Sequence, residues 1–354
     1  MTMKIIAEYI WLDYTNQYRS KTKIFDIDTL NNVDTSKYLL LNSYPVWNYD
    51  GSSTGDIPEN EEGNTECLLE PIALFDDPFN KSTDTCKYML VFCNNSYVIN
   101  NVEHGIHKYM FNYLYTITEK LNKETYMFGF EQEFFMIDIK TGLPLGIECF
   151  NEIIQGDYYC GNGSYSVKHR DFINDSQYKL LKAGVNLTGF NYEVAPGQAE
   201  FQVCDYGIEA LYQLLILRFI LVRNGENYGL HISFDNVING GNNINNTGCH
   251  TNISNYDMRN NDGIKYIMDK INELENKTPN SEEQFNEFFG KDNTTRLCGE
   301  LETSNWRKFS WGYGSRHTSI RIPNQVINDK CGYFEDRRPG GNVNPFNYVY
   351  HLLF

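Results

Sequence analysis

Gly129–Met136, read as Gly-Phe-Glu-Gln-Glu-Phe-Phe-Met, is the stretch whose reading decides the fold. Its aromatic and apolar residues predict a strand packed in a core. Glu131 and Glu133 nevertheless sit inside it. Side chains alternate along a strand, so these two carboxylates share one face, roughly 7 Å apart by the rise per residue. Burying neighbouring anions is costly without compensation. A hard divalent cation is the natural partner for such a face.

Working outward, a second glutamate pair lies in Asn191-Tyr192-Glu193-Val194-Ala195-Pro196-Gly197-Gln198-Ala199-Glu200-Phe201-Gln202. Its Pro-Gly turn lets Glu193 and Glu200 converge from separate short segments. His250 lies in Gly248-Cys249-His250-Thr251-Asn252, and Gly332-Tyr333-Phe334-Glu335-Asp336-Arg337-Arg338-Pro339 sets carboxylates beside arginines. Taken singly, each has a plain structural explanation: a solvated carboxylate pair, a hydrogen-bonded histidine, a surface ion-pair cluster. Together, Glu131, Glu133, Glu193, Glu200, Glu335 and His250 suit two or three Mg²⁺ or Mn²⁺ ions. Arg296, Arg316, Arg321 and Arg337 can clamp carboxylate or phosphate oxygens. Metals with arginines suit phosphoryl transfer, where positioning and charge neutralisation dominate. No Gly-x-x-x-x-Gly-Lys-Ser/Thr loop is present, which disfavours a P-loop enzyme.

The bulk properties narrow the class. A chain of 354 residues has room for one large or two unequal domains. Its net charge of −16 argues against nucleic-acid binding. Nine cysteines without a Cys-x-x-Cys pair fit reduced thiols. The most apolar window, Leu211–Val222, is too short for a bilayer and holds Arg218. No signal peptide is visible, and a cytoplasmic protein without membrane contact is expected. The asparagine cluster between Asn236 and Asn261 reads as compositional bias.

Residues 4–13 and 20–28 predict strands, as do Tyr38–Leu41 and Lys87–Cys93, with a loop-rich stretch over Trp47–Asn80. The first ~95 residues form a small β-rich domain on this reading, followed by a larger α+β domain. Val102–Asn122 predicts a helix striped by Ile106, Met110, Tyr113, Leu114 and Ile117. Gly207–Asn224 predicts a buried helix, and 262–276 an amphipathic one. Ser281 and Gln284 form a capping box for a short helix stopping at Gly290. Leu230–Phe234 and Ser319–Ile322 predict further strands. Without βαβ alternation, a doubly wound parallel sheet is disfavoured.

From first strand to near the end, the chain resembles a type II (eukaryotic-type) glutamine synthetase. The carrying segments include Glu8-Tyr9-Ile10-Trp11-Leu12-Asp13, Arg19-Ser20-Lys21-Thr22-Lys23 and Trp47-Asn48-Tyr49-Asp50-Gly51-Ser52-Ser53-Thr54. The glutamate motifs, the His250 segment, Glu302-Thr303-Ser304-Asn305, Arg316 to Pro323 and Gly332 to Pro339 complete the set.

The resemblance implies a β-grasp-like domain over 1–95 and a catalytic domain over 96–354 with an antiparallel sheet and flanking helices. It implies ATP-dependent joining of L-glutamate and ammonium through a γ-glutamyl phosphate. Glu133, Glu193 and Glu200 match ligands of the metal that engages glutamate. Glu131, His250 and Glu335 match ligands of the metal that engages ATP. Arg296 and Arg337, with His250, correspond to glutamate-binding residues, and Arg316 and Arg321, with Tyr333, to residues holding the nucleotide phosphates. Asp50, beside Ser53, corresponds to the acid that binds ammonium and takes its proton. Glu302 corresponds to a glutamate on a flap that closes over the intermediate. The family assembles its site between adjacent subunits of a ring, which implies a decamer of two pentamers.

Departures from the family pattern are Met127 for a tryptophan, Ala199 for an aromatic residue and Val203-Cys204-Asp205 where Gly-Pro is expected. Leu301 replaces a polar neighbour of Glu302, Thr295 replaces an arginine, and the usual terminal extensions are shortened. A catalytically degenerate structural relative and a γ-glutamyl ligase for another amine are the competing readings. Retention of the metal-ligand set, the arginines, Asp50 and Glu302 speaks against the first. The intact Asp50 region favours ammonia over the second.

Overall fold

A computed structural model describes residues 3–27, 41–57, 64–147, 158–163, 167–238 and 246–354. Except for Leu41, the strand expected at Tyr38–Leu41 lies outside these residues, as does the centre of the asparagine cluster. The chain divides into two compact units, Met1–Tyr115 with Tyr178–Val185, and Thr116–Gln177 with Asn186–Phe354.

The first unit carries β1 (Lys4–Leu12), β2 (Tyr18–Asp26), β3 (Trp47–Asp50), β4 (Glu66–Asp76), β5 (Cys86–Ile99) and β6 (Val102–Gly105). They form one sheet in the order β2-β1-β5-β4-β3, with β6 on β5. Only β1–β5 is parallel among these pairs. Alternation along β1 buries Ile5, Ala7, Tyr9 and Trp11 in one core with Leu69, Val91 and Cys93.

Two elements differ from expectation. The Trp47–Asn80 stretch is not mainly loop, because β4 occupies Glu66–Asp76. Pro71 interrupts its pattern, and the structure accommodates that proline at a register shift between Pro71 and Ala73. The helix expected from Val102 begins at Lys108 instead, since Val102–Gly105 pairs with Ser96–Ile99 as a hairpin.

The remaining elements are α1 (Lys108–Lys123), β7 (Met127–Asp138), α2 (Arg170–Lys182), β8 (Leu187–Tyr192), β9 (Gln198–Tyr206), α3 (Gly207–Gly225), β10 (Leu230–Ser233) and β11 (Cys249–Ser254). They continue with α4 (Tyr256–Arg259), α5 (Ile264–Asn276), α6 (Glu282–Phe289), α7 (Asn293–Arg296), β12 (Trp311–Tyr313), β13 (Ile320–Ile322), α8 (Asn324–Asp329), β14 (Phe334–Asp336) and α9 (Pro345–Leu353). The second sheet runs β12-β13-β14-β11-β7-β9-β8, with β10 also on β7. All pairs are antiparallel except β12–β13. The architecture is the expected α+β arrangement.

The two-glutamate strand lies inside this sheet, flanked by β9 and β11. One face is a core of Phe128, Phe130 and Phe134, all fully buried, with Phe134 stacked on Phe201 at 5.8 Å. α3 is buried almost throughout, as its apolar run predicts. Its Arg218 donates to Gln132 Oε1 (2.7 Å) and to the Val343 carbonyl (2.7 Å), tying the helix to the core face of β7. Ser281 caps α6 by accepting the Gln284 amide, and the helix ends before Gly290 at φ +109°. No helix among the described residues is long and apolar enough to cross a membrane. The cysteines among them are free thiols.

Candidate active site

Cross-strand register gathers the charged residues on the face of the second sheet opposite its aromatic core. Glu131 pairs with His250 on β11 and with Gln202 on β9, while Glu133 pairs with Glu200. Glu200 in turn pairs with Asn191 on β8, so Glu193, two residues on, reaches the same face. On the other side, Glu335 pairs with Asn252 and with Arg321. The turn between Glu193 and Glu200 depends on Gly197, at φ +70°, where a Cβ would lie 2.7 Å from the Leu145 amide nitrogen.

Two triads of ligand atoms result, Glu131 with His250 and Glu335, and Glu133 with Glu193 and Glu200, each with its atoms within 4.8 Å of one another. His250 Nδ1 is 3.7 Å from both Glu131 Oε2 and Glu335 Oε1, and 3.9 Å from Glu133 Oε1. Burial holds the imidazole well below its usual pKa, with the Arg337 charge adding to the effect, so the ring is uncharged. Burial, reinforced by neighbouring carboxylates, pushes Glu133 up to about 8, Glu193 to about 7 and Glu200 to about 9. Carboxylates crowded in this way call for positive charge at their centre. Hard oxygens with one neutral imidazole form a donor set that fits divalent cations.

Hydrogen bonds aim these carboxylates. The Gly248 amide donates to Glu133 Oε2 at 2.7 Å, and Gln198 Nε2 reaches the same oxygen at 3.2 Å. Asn191 Nδ2 donates to Glu193 (2.8 Å), Gln202 Nε2 to Glu200 (2.6 Å), and Asn252 Nδ2 to Glu131 (2.7 Å). All of these residues lie within the sequence motifs, where nothing marks a role for them. The available signal was spacing, since Asn191 and Gln202 each stand two residues from a candidate ligand along the chain.

The arginines converge on the triads. Arg337 Nη1 donates to Glu335 Oε1 at 2.7 Å, and Arg321 Nε contacts Glu335 Oε2. Arg296 is buried, with Nη2 donating to the Arg337, Arg338 and Pro339 carbonyls and Nε to Asn293 Oδ1. Arg316 Nη1 lies 3.3 Å from Glu302 Oε2. Its guanidinium also stacks over Tyr159 at 5.4 Å, a residue for which the sequence offers no signal. Both triads except Glu335, together with Glu302, Arg316, Arg321 and Arg337, line one cavity of about 150 Å³. Leu301 and Glu302 both adopt left-handed backbone, at φ +52° and +64°. Consecutive non-glycine residues in that region store strain, a property of segments that change conformation in function.

A second cavity, of about 310 Å³, shares Glu131 and Gln202 with the first and extends along the sheet past Met127, Val203, Cys204 and Tyr333. Asp50 and Ser53 fall in the other compact unit, on the β3 strand end and its following turn. Asp50 accepts the Ser52 amide (3.1 Å), Ser52 Oγ (2.7 Å) and Ser53 Oγ (3.1 Å). The Ser52 hydroxyl above all, with those of Thr65 and Ser53, holds its carboxyl below the ordinary range. Gly51 is required here, because a Cβ would lie 2.5 Å from Cys67 Sγ.

No family model matches the chain. A putative glutamine synthetase of Acanthamoeba polyphaga mimivirus is 36% identical over 350 residues, covering 98% of this chain and 93% of that protein. The glutamine synthetase of Candida glabrata is 38% identical over 345 residues, covering 97% and 86%. This chain belongs to the glutamine synthetase family. The chicken (Gallus gallus) glutamine synthetase agrees, at 37% identity over 349 residues and 97% of this chain.

Membership of the glutamine synthetase family gives the departures a place in the fold. Ala199 pairs with Phe134 and Tyr192, so it faces away from the triads and its missing ring bears on core packing. Met127, Val203 and Cys204 all line the apolar cavity. Leu301 is one of the strained residues beside Glu302. Thr295 sits in the single turn of α7, next to buried Arg296.

Proposed function

We propose that this chain is an ATP-dependent glutamate–ammonia ligase that makes glutamine through a γ-glutamyl phosphate. The observation supporting it is the convergence of five of the six residues of the two metal-fitting triads with Arg316, Arg321 and Arg337 on one cavity. A carboxylate is a poor electrophile, and phosphorylation by ATP gives it a leaving group. Divalent ions held by Glu131, His250 and Glu335, and by Glu133, Glu193 and Glu200, would supply charge neutralisation at phosphoryl and carboxylate oxygens. Arg296 and Arg337, with His250, hold glutamate. Arg316 and Arg321 face the transferring phosphoryl group, and Tyr333 flanks the nucleotide. Glu302 belongs to a flap that shields the acyl phosphate from water.

Asp50, anionic at neutral pH, attracts ammonium beside Ser53 and takes its proton. The N-terminal domain of one subunit completes the catalytic domain of the next, in a cytoplasmic ring of two pentamers. The test is purified protein with Mg²⁺, ATP, glutamate and ammonium, reading glutamine and phosphate together. Metal-dependent, stoichiometric release is expected. No product sinks the reading in favour of a degenerate relative, and turnover with another amine but not ammonium makes it a different γ-glutamyl ligase.

A further inference from the structure

Asp50, Ser52, Ser53 and Gly55 are exposed, so the turn that carries the Asp50 carboxylate has little packing of its own. Such a turn stays mobile unless its backbone is fixed at both ends. Buried Asp56 supplies that fixture. Its Oδ2 accepts the Tyr49 hydroxyl at 2.6 Å and the Thr54 hydroxyl at 2.7 Å, and its Oδ1 accepts the Tyr14 amide at 2.6 Å. Tyr49 immediately precedes Asp50 and Thr54 immediately follows Ser53, so one carboxylate ties both ends of the turn. The Asp56 amide also donates to the Gly51 carbonyl at 2.9 Å. Gly55 permits the reversal, at φ +78° and with space for no Cβ, which would lie 2.8 Å from the Tyr14 ring.

The network continues into the sheet. Asn95 Nδ2 donates to the Tyr49 hydroxyl at 3.0 Å and to the Leu12 carbonyl at 2.9 Å, and His107 Nε2 lies 3.1 Å from that carbonyl. Leu12, Tyr49 and Asn95 belong to β1, β3 and β5, so the turn is moored to three strands. Burial, with the bond to Asp56, pushes the Tyr49 phenol well above its usual pKa and keeps it a donor. The three groups that donate to Asp56 are a backbone amide and two hydroxyls, none of them charged. An ionised carboxylate accepts on both oxygens, whereas an amide turns its NH₂ toward part of this donor set. The chemistry of the position therefore calls for a carboxylate.

We propose that Asp56 is a positioning residue for the ammonium step, holding the Asp50 turn in the geometry in which Ser52 and Ser53 aim the Asp50 carboxylate. The inference rests on the proposal that Asp50 binds ammonium and takes its proton. Asp56 acts through Tyr49 and Thr54 rather than on substrate. The Ser52 amide and hydroxyl and the Ser53 hydroxyl bond Asp50 only while the turn keeps its shape. Misplacing a reacting group by about 1 Å costs on the order of a hundredfold in rate.

The experiment compares two assays of the full chain with Mg²⁺. Glutamine formation is followed against ammonium concentration, and acyl-phosphate formation by positional isotope exchange in labelled ATP with glutamate but no ammonium. In Asp56→Asn, kcat/KM for ammonium should fall by about tenfold to a hundredfold while the exchange rate stays within about threefold of wild type. Thr54→Val should shift the same way, and Thr54→Ser, which keeps the hydroxyl, should restore ammonium use. The Thr54 pair decides alone if Asp56→Asn does not fold. Equal losses in both assays would make Asp56 a folding residue only and overturn the inference. Unchanged ammonium kinetics, or a serine variant as impaired as the valine one, would overturn it too while leaving the ligase reading intact. Exchange without glutamine in the wild-type protein sinks the ammonia reading and this inference with it, and neither signal sinks the ligase reading as a whole.

Discussion

Gly248→Ala tests how closely the two triads are held. Gly248 clasps β7, its amide donating to Glu133 Oε2 at 2.7 Å and its carbonyl accepting the Glu133 amide at 3.0 Å. A Cβ at this position would lie 2.7 Å from His250 Nε2, 3.1 Å from its Cδ2 and 3.2 Å from Arg296 Nη1. Unstrained carbon contacts begin near ~3.5 Å, so the imidazole must move by about half an ångström or more. Any such shift changes the 3.7–3.9 Å spacing between its Nδ1 edge and Glu131, Glu335 and Glu133. Metal–ligand distances tolerate about 0.2 Å, and loss of ligand orientation costs roughly 10–100-fold in metal affinity or activity. The overpacking itself costs about 1–3 kcal/mol of stability, which a fold of this size survives. The assay is kcat/KM for glutamine formation with a Mn²⁺ titration, beside a thermal melt. A folded variant with wild-type metal affinity and turnover would refute the argument that this glycine is needed to seat His250.

Three further outcomes are expected. Because Glu133, Glu193 and Glu200 sit at about 8, 7 and 9, a metal must displace protons from them near neutrality. The rise in Tm on adding Mn²⁺ should therefore be larger at pH 8 than at pH 6, and an equal rise at both would contradict it. His351 stacks on Phe288 at 4.6 Å, and burial with the nearby Arg338 charge lowers its pKa to about 3. The folded state then binds fewer protons than the unfolded chain below about pH 6.5, so stability falls as pH drops, by about 2 kcal/mol between 6.5 and 5. His351→Phe should keep the stacking and flatten that acid-side loss in melts at pH 7 and 5, and an unchanged pH dependence would assign the loss elsewhere. On the proposal that one subunit's Asp50 completes the site of the next, Asp50→Ala and Glu131→Gln, each inactive alone, should regain about a quarter of wild-type activity when refolded together, as random mixing gives. No recovery from a mixed oligomer would place both residues in one subunit's site.

Local pattern carried a good part of this protein. The period of two in Gly129–Met136 placed Glu131 and Glu133 on one face, because alternation is a property of the strand alone. The apolar run of α3 and the cap at Ser281 were legible for the same reason, as each depends on neighbours within a few residues. β4 was not, since Pro71 breaks the strand pattern and only the partners on either side hold it in the sheet. β6 reads as helix in the sequence because its four residues gain strand character only by pairing with β5. The register shift between Leu187 and Gly189 likewise exists only against β9. Motif order indicated the family and two candidate ligand groups. Tertiary structure decided what makes those groups physical: the register that sets His250 against Glu131 and Glu200 against Glu133. Those partners are far apart in the chain, and a one-residue slip of either strand would turn its carboxylate or imidazole to the aromatic face.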